Sequence, residues 1–107
     1  MLTRQNIIKA VEDFIISANE NNVAIEKILL FGSYAKGNPH KYSDIDLAVF
    51  SHQFTHNHFE NNYIIRFTKR LPQMQLHLYP VHEYDENLFI QEIKKHAVDL
   101  ISNFKRA

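Results

Sequence analysis

Two short groups of residues within the segment 29–50 have the types and spacing needed for chemistry on a nucleoside triphosphate. Gly32 and Ser33 follow a short apolar run, and ten residues separate Ser33 from Asp44 and Asp46, which open a second apolar run. Side chains at positions i and i+2 of a strand point to the same face, so the two carboxylates can hold one divalent cation together. A glycine lets the backbone approach phosphate oxygens closely. The pattern predicts a magnesium-bound nucleotide here.

Two residues of the same loop are further candidates for phosphate binding. Ser33 can donate both its hydroxyl and its backbone N–H, and the N–H is better oriented if Ser33 opens a short helix. Lys36 offers a point charge for a phosphate oxygen. Nucleotidyl transfer requires that the negative charge on the phosphate oxygens be offset, and these two residues would contribute to that alongside the metal.

The flanking sequence predicts the elements that position these residues. Thr3 is a suitable N-cap for a first helix. Asn57 with Glu60 resembles a capping box for a second helix, which carries Phe67 and is stopped by Leu71-Pro72. Strands are predicted from Ile25 to Phe31, from Asp44 to Phe50 and from Gln73 to Tyr79, a last helix is predicted with Asp85 as its cap, and residues 98–101 fit either a strand or a helix. This order predicts an α/β (α+β) fold with a small mixed sheet and helices packed against it, in a single domain of residues 1–107.

Composition excludes several classes of function. The 107 residues include twelve basic and twelve acidic side chains, so strong direct binding to nucleic acid is not expected. The absence of cysteine excludes disulfides and thiolate metal sites. The N-terminal segment has the pattern of an amphipathic helix, and no segment is long and apolar enough to span a bilayer. We therefore expect a cytoplasmic protein without a membrane partner.

The run GSYAKGNPHKYSDIDLAV, residues 32–49, resembles the signature of the minimal nucleotidyltransferases of the DNA polymerase β superfamily. The resemblance covers most of the chain and implies the nucleotidyltransferase fold, ATP as the substrate, and Mg²⁺ bound by Asp44 and Asp46. Many such proteins are antitoxins of HEPN-domain ribonucleases, and members of that group transfer AMP to a tyrosine of the toxin. The resemblance thus implies an AMPylating antitoxin in a hetero-oligomer with a HEPN toxin.

The chain departs from the superfamily pattern at the third carboxylate, which normally lies on a neighbouring strand. The best match is Gln75, and His77 lies on the same face two residues later. Three interpretations are open: Gln75 leaves a nucleotide binder without turnover, His77 replaces the general base, or an acid such as Glu83 or Asp85 enters from the following loop. The first predicts an antitoxin that neutralises its toxin by binding alone. Transfer to a small molecule is a weaker alternative, because no second domain is present to form an acceptor pocket.

The seven histidines include a local group, His52, His56 and His58. On a helix, His52 and His56 would share a face, as a pair of zinc ligands does. The sequence shows no third or fourth ligand nearby, and the segment has the composition of a polar loop that enters a helix. We therefore expect exposed histidines here.

Overall fold

The structure is a computed structural model that describes residues 2–101 and contains one four-stranded mixed sheet with helices around it. The elements in chain order are α1 (Arg4–Glu20), β1 (Lys27–Phe31), α2 (Ser33–Lys36), β2 (Ile45–Ser51), α3 (His58–Ile64), β3 (Met74–Pro80), α4 (Glu83–Glu86), α5 (Leu88–Ile93) and β4 (Val98–Asp99). This arrangement confirms the fold class that the sequence predicts. Within residues 2–101, no helix is long and apolar enough to cross a membrane.

The strand order is β3-β2-β1-β4, so β1 and β2 lie inside the sheet. β1 runs antiparallel to β2 with Phe31 opposite Asp46, and β4 runs antiparallel to β1. β3 runs parallel to β2 with Gln75 opposite Asp46. Parallel neighbours require a crossover connection, and α3 lies within it. Because β2 and β3 are parallel, both strands start at one edge of the sheet and end at the opposite edge.

Alternation along β2 divides the core between the two faces of the sheet. Ile45, Leu47 and Val49 are fully buried on the first face, in a cluster that includes Val11 and Phe14 of α1. The second face carries a smaller cluster, which consists of Leu29, Ala48, Phe50 and Ile90 of α5. The sheet is thus covered by helices on both faces, and β2 is its most deeply buried strand.

Helix starts follow the predicted caps with one correction. The side chains of Thr3 and Asn57 cap α1 and α3 by accepting backbone hydrogen bonds, as expected. The prediction that Asp85 caps the last helix is wrong, because Asp85 lies within α4 and Asn87 caps α5. Asn87 has the extended backbone of an N-cap residue, with φ −72° and ψ 126°, so it ends one helix and begins the next.

The three predicted strands are all present, with boundaries displaced by one or two residues. Residues 98–101 fitted either a strand or a helix, and the structure places strand β4 at Val98–Asp99. The second predicted helix is shorter than expected, because α3 ends at Ile64 and Phe67 therefore lies beyond it. Helix ends fray within a residue or two. α3 ends a full turn early because the carbonyl of Ile65 accepts hydrogen bonds from the backbone N–H and the hydroxyl of Thr68, which form a turn.

Candidate active site

The antiparallel register of β1 and β2 brings the two halves of the sequence pattern together. Phe31 ends β1 opposite Asp46, so the chain leaves β1 at Gly32 beside the start of β2. Ser33 then opens α2, as the sequence predicts. Asp44 immediately precedes β2 and Asp46 is its second residue. Residues more than ten positions apart in the chain therefore meet at one edge of the sheet.

Gly32 lies directly against the carboxylate of Asp46. A Cβ atom built on Gly32 would overlap Oδ2 of Asp46 and would lie 3.2 Å from its Cγ. The φ angle of Gly32 is also +76°, a conformation that side chains other than glycine rarely adopt. Only glycine meets both conditions, so its place in the pattern has a steric cause in this structure.

The two aspartates differ in their electrostatic environment. Asp44 is exposed, whereas Asp46 is half-buried between the strands. Burial raises the pKa of the Asp46 carboxyl above its ordinary value of 3.8, nearby His77 opposes this shift, and the charge of Asp44 adds to it. The folded chain therefore holds the Asp46 carboxylate at an energetic disadvantage, which a bound cation would offset.

The donor set at this edge fits Mg²⁺. Asp44 and Asp46 provide hard carboxylate oxygens at the start of β2, and Mg²⁺ in proteins is commonly bound by one or two carboxylates together with substrate phosphates. When bound, the ion would offset charge on the phosphate oxygens. Within residues 2–101, no third Asp, Glu or His side chain forms a compact cluster with these two carboxylates.

The third strand presents Gln75 and His77 on the same face as Asp46. Gln75 pairs directly with Asp46 and His77 pairs with Ala48, so the parallel register puts both residues of β3 beside the aspartates. The His77 ring meets Phe31 with ring centroids 5.3 Å apart. Phe31 and His77 belong to the two strands that flank β2, and the small Ala48 side chain leaves room for their rings to meet above it. The roles of Gln75 and His77 stay predictions.

The acids of the following loop lie elsewhere. Glu83 follows the far end of β3, where its carboxylate is 3.4 Å from Nε2 of His82. Asp85 lies 3.8 Å from Nζ of Lys94. The interpretation that one of these acids completes the aspartate site is therefore wrong, because β3 carries the chain from Gln75 to the opposite edge of the sheet before either acid is reached.

A cleft of about 320 Å³ opens beside Gly32. Its walls include Phe31, Lys36 and Phe89, and the Phe31 and Phe89 rings meet edge to face with centroids 5.7 Å apart. Glu92, Ile93 and His96 line the side formed by α5 and the turn after it. Among these residues the sequence had indicated Gly32 and Lys36 alone. The others carry no local signal, because α5 returns to the site only through the packing of Ile90 on the sheet.

The family model described as "Polymerase beta, Nucleotidyltransferase" matches residues 13–106. No curated protein sequence gives a significant match.

Solved structures show the same fold. A provisionally assigned nucleotidyltransferase from Sulfolobus solfataricus superimposes with a TM-score of 0.62 at 21% identity, over 86% of this chain and 77% of that one. A toxin–antitoxin structure with AMP-PNP superimposes with a TM-score of 0.52 at 23% identity, over 92% of this chain and 73% of that one. At these identities the likeness is one of fold.

Proposed function

Because this chain belongs to the polymerase β nucleotidyltransferase family, we propose that it is the antitoxin of a toxin–antitoxin pair and transfers AMP from ATP to a tyrosine of a HEPN ribonuclease toxin. The observation that carries the proposal is the contact between Gly32 and the Asp46 carboxylate, with Asp44 on the same edge. The toxin–antitoxin structure with AMP-PNP, an ATP analogue, supports this class of partner and of nucleotide. The transfer would take place within a hetero-oligomer of the two proteins.

The reaction joins the tyrosine oxygen of the toxin to the α-phosphorus of ATP. The bond between the α-phosphorus and the bridging oxygen breaks, and pyrophosphate leaves with the electron pair. Asp44 and Asp46 would hold Mg²⁺ against the phosphates, and the Ser33 hydroxyl and N–H would donate to a phosphate oxygen. The phenolic proton needs an acceptor, and His77, on the same face of the sheet as Asp46, would accept it.

The cleft beside Gly32 is the proposed place for the nucleotide. Phe31 and Phe89 offer aromatic surfaces to a base, while Lys36 lies on the same wall with a positive charge for a phosphate oxygen. Apolar walls with a few convergent polar groups are typical of small-molecule sites. The aromatic end of the cleft would then hold the base of ATP, and the metal-binding end would hold its phosphates.

Neutralisation by binding alone is the second candidate, and the Gln75 side chain favours it. Gln75 pairs with Asp46 where the superfamily normally carries a carboxylate. An amide can contribute a carbonyl oxygen to a metal, but it adds no negative charge and accepts no proton. Such a protein would keep the nucleotide site while losing turnover.

Labelled ATP distinguishes the two candidates. The purified chain is incubated with Mg²⁺ and its proposed HEPN partner, with either α-labelled or γ-labelled ATP. AMP transfer puts label on the toxin from α-labelled ATP and none from γ-labelled ATP. A toxin with its tyrosines changed to phenylalanine is the matched acceptor control.

The result that overturns the transfer proposal is equally specific. If the toxin stays unlabelled while its ribonuclease activity is blocked at equal stoichiometry, neutralisation is by binding. Asp46→Asn would then neutralise the toxin as well as the wild type does.

A further inference from the structure

A second cluster of metal-binding side chains lies at the opposite edge of the sheet from Asp46. His56 comes from the loop after β2, and His82 and Glu83 follow β3. One ligand atom from each of the three side chains lies within 4.8 Å of the others, which makes this the only such group in residues 2–101. β2 has seven residues, so roughly 20 Å of strand separates the cluster from the aspartate edge.

The distances approach those of a coordinated ion. Oε1 of Glu83 lies 3.4 Å from Nε2 of His82 and 3.9 Å from Nδ1 of His56. Ligand atoms about 2.0–2.1 Å from a tetrahedral zinc ion lie roughly 3.3 Å from one another. Small side-chain rotations would therefore bring the three ligand atoms to coordination distance of one ion. The histidines can make these rotations because the side chain of His56 is 71% exposed and that of His82 is 52% exposed.

The loop that carries His56 is held in place by its own hydrogen bonds. The buried Asn61 side chain accepts from Thr55 N at 2.8 Å and donates to Thr55 O at 2.7 Å. The Thr55 hydroxyl donates to Glu60 at 2.8 Å. His56 thus follows a fixed residue, and the Glu83 side chain is only 17% exposed. The hydrogen-bonded loop before His56 and the limited exposure of the Glu83 side chain both lower the conformational entropy that is lost when a metal binds.

The donor types select the metal. Imidazole nitrogen suits zinc, copper and nickel, whereas Mg²⁺ prefers oxygen ligands. Two histidines and one glutamate are also a known ligand set for zinc with a fourth position open to water or to another ligand. A cleft of about 450 Å³ lies beside the cluster, lined by His56, His82 and the apolar Phe54, Pro80 and Val81 among others.

We propose that His56, His82 and Glu83 form a zinc-type site that joins the loop before α3 to the turn before α4. This site is separate from the aspartate edge and does not depend on the proposed transfer reaction. It leaves one coordination position open on the cleft side. Bound metal would link the ends of β2 and β3, so it would stabilise the folded chain.

The test uses the full chain without an affinity tag and Zn²⁺ as the only probe. Isothermal titration is expected to show one strongly bound Zn²⁺ per chain at the proposed site. The titration is made on the wild type and on Asp44→Asn/Asp46→Asn, because the double variant removes any Zn²⁺ binding by the two aspartates. Zn²⁺ binding at the proposed site should persist in that double variant. Excess Mg²⁺ should not displace the bound Zn²⁺.

Single variants identify the ligands. His56→Ala, His82→Ala and Glu83→Gln, each made in the double-variant background, are expected to weaken Zn²⁺ binding by about tenfold or more, since even the outer-shell partners of a bound metal are commonly worth about 10- to 100-fold. His58→Ala is the matched control, because His58 is an exposed histidine two residues from His56 and outside the cluster. It is expected to bind Zn²⁺ like its parent.

Two outcomes overturn the proposal. One is the absence of Zn²⁺ binding in the double variant, and the other is binding that His56→Ala and His82→Ala leave unchanged. The His56 and His82 side chains are exposed, so metal-free thermal unfolding is expected to be the same for His56→Ala and His82→Ala as for their parent. Zn²⁺ should raise the unfolding temperature of the parent and fail to raise that of His82→Ala.

Discussion

The two ends of the parallel pair β2 and β3 carry different kinds of candidate site. At the starting edge, Asp46 is half-buried, pressed against Gly32 and flanked by Gln75 and His77. At the finishing edge, His56 and His82 are exposed and come from loops. The first site is sterically restricted and electrostatically costly, whereas the second tolerates rotation of its side chains. Substitutions at the starting edge should therefore reduce activity or stability much more than substitutions at the finishing edge.

Asp46→Asn should have the largest effect on activity. It removes a carboxylate from the proposed metal site, and since even the outer-shell partners of a bound metal commonly account for about 10- to 100-fold, we expect AMP transfer to fall by more than about 100-fold. The fold should not suffer, because the charge that burial disfavours is lost. The measurement is label transferred to toxin from α-labelled ATP, with thermal unfolding of the same preparation. A variant that keeps transfer within a few-fold of the wild type would remove Asp46 from the mechanism.

His77→Ala tests the general base. A positioned base typically contributes about 10²- to 10⁴-fold, so transfer should fall by about 100-fold or more. Single-turnover rates of labelled AMP transfer to the toxin measure this loss. Gln75→Ala is the neighbouring control on the same face. If His77→Ala transfers AMP as fast as the wild type does, the base is not His77.

Gly32→Ala should destabilise the chain more than Gly37→Ala does. Both glycines have positive φ, and that conformation costs an alanine about 1–2 kcal/mol. A Cβ on Gly37 meets nothing within 4 Å, whereas a Cβ on Gly32 overlaps Asp46. At Gly32, overpacking adds roughly 1–3 kcal/mol to the loss of stability. Urea unfolding measures both values, and equal losses would show that the contact with Asp46 relaxes freely.

The stability of the chain should depend on pH through Asp46 in a direction opposite to that of most carboxylates. Its pKa is raised in the folded state, so the folded chain binds this proton more tightly than the unfolded chain does. The free energy of unfolding should therefore fall, relative to Asp46→Asn, as pH rises above the ordinary value of 3.8 and through the raised pKa. Urea titrations of the two proteins at several pH values give the difference. A difference of the opposite sign would mean that the carboxylate is stabilised in the fold.

Local patterns accounted for much of this molecule. Thr3 and Asn57 cap helices because a side-chain oxygen and a free N–H lie a few residues apart in the chain. The alternation of Ile45, Leu47 and Val49 with Asp46 is likewise a local property, and it decides which face of β2 is buried. Asp85 fails as the predicted cap because it lies within α4 and the side chain of Asn87, two residues later, accepts a hydrogen bond from the backbone N–H of Ile90.

Sequence by itself determined the fold class and the nucleotidyltransferase pattern, because these depend on short-range spacing. Tertiary structure alone decided that Gln75 lies opposite Asp46, that Phe89 lines a cleft with Phe31, and that His56 meets His82 and Glu83. These contacts join residues between about 26 and 58 positions apart, as their numbers in the chain show. They exist because strand register and helix packing bring distant segments together, and no local spacing encodes that.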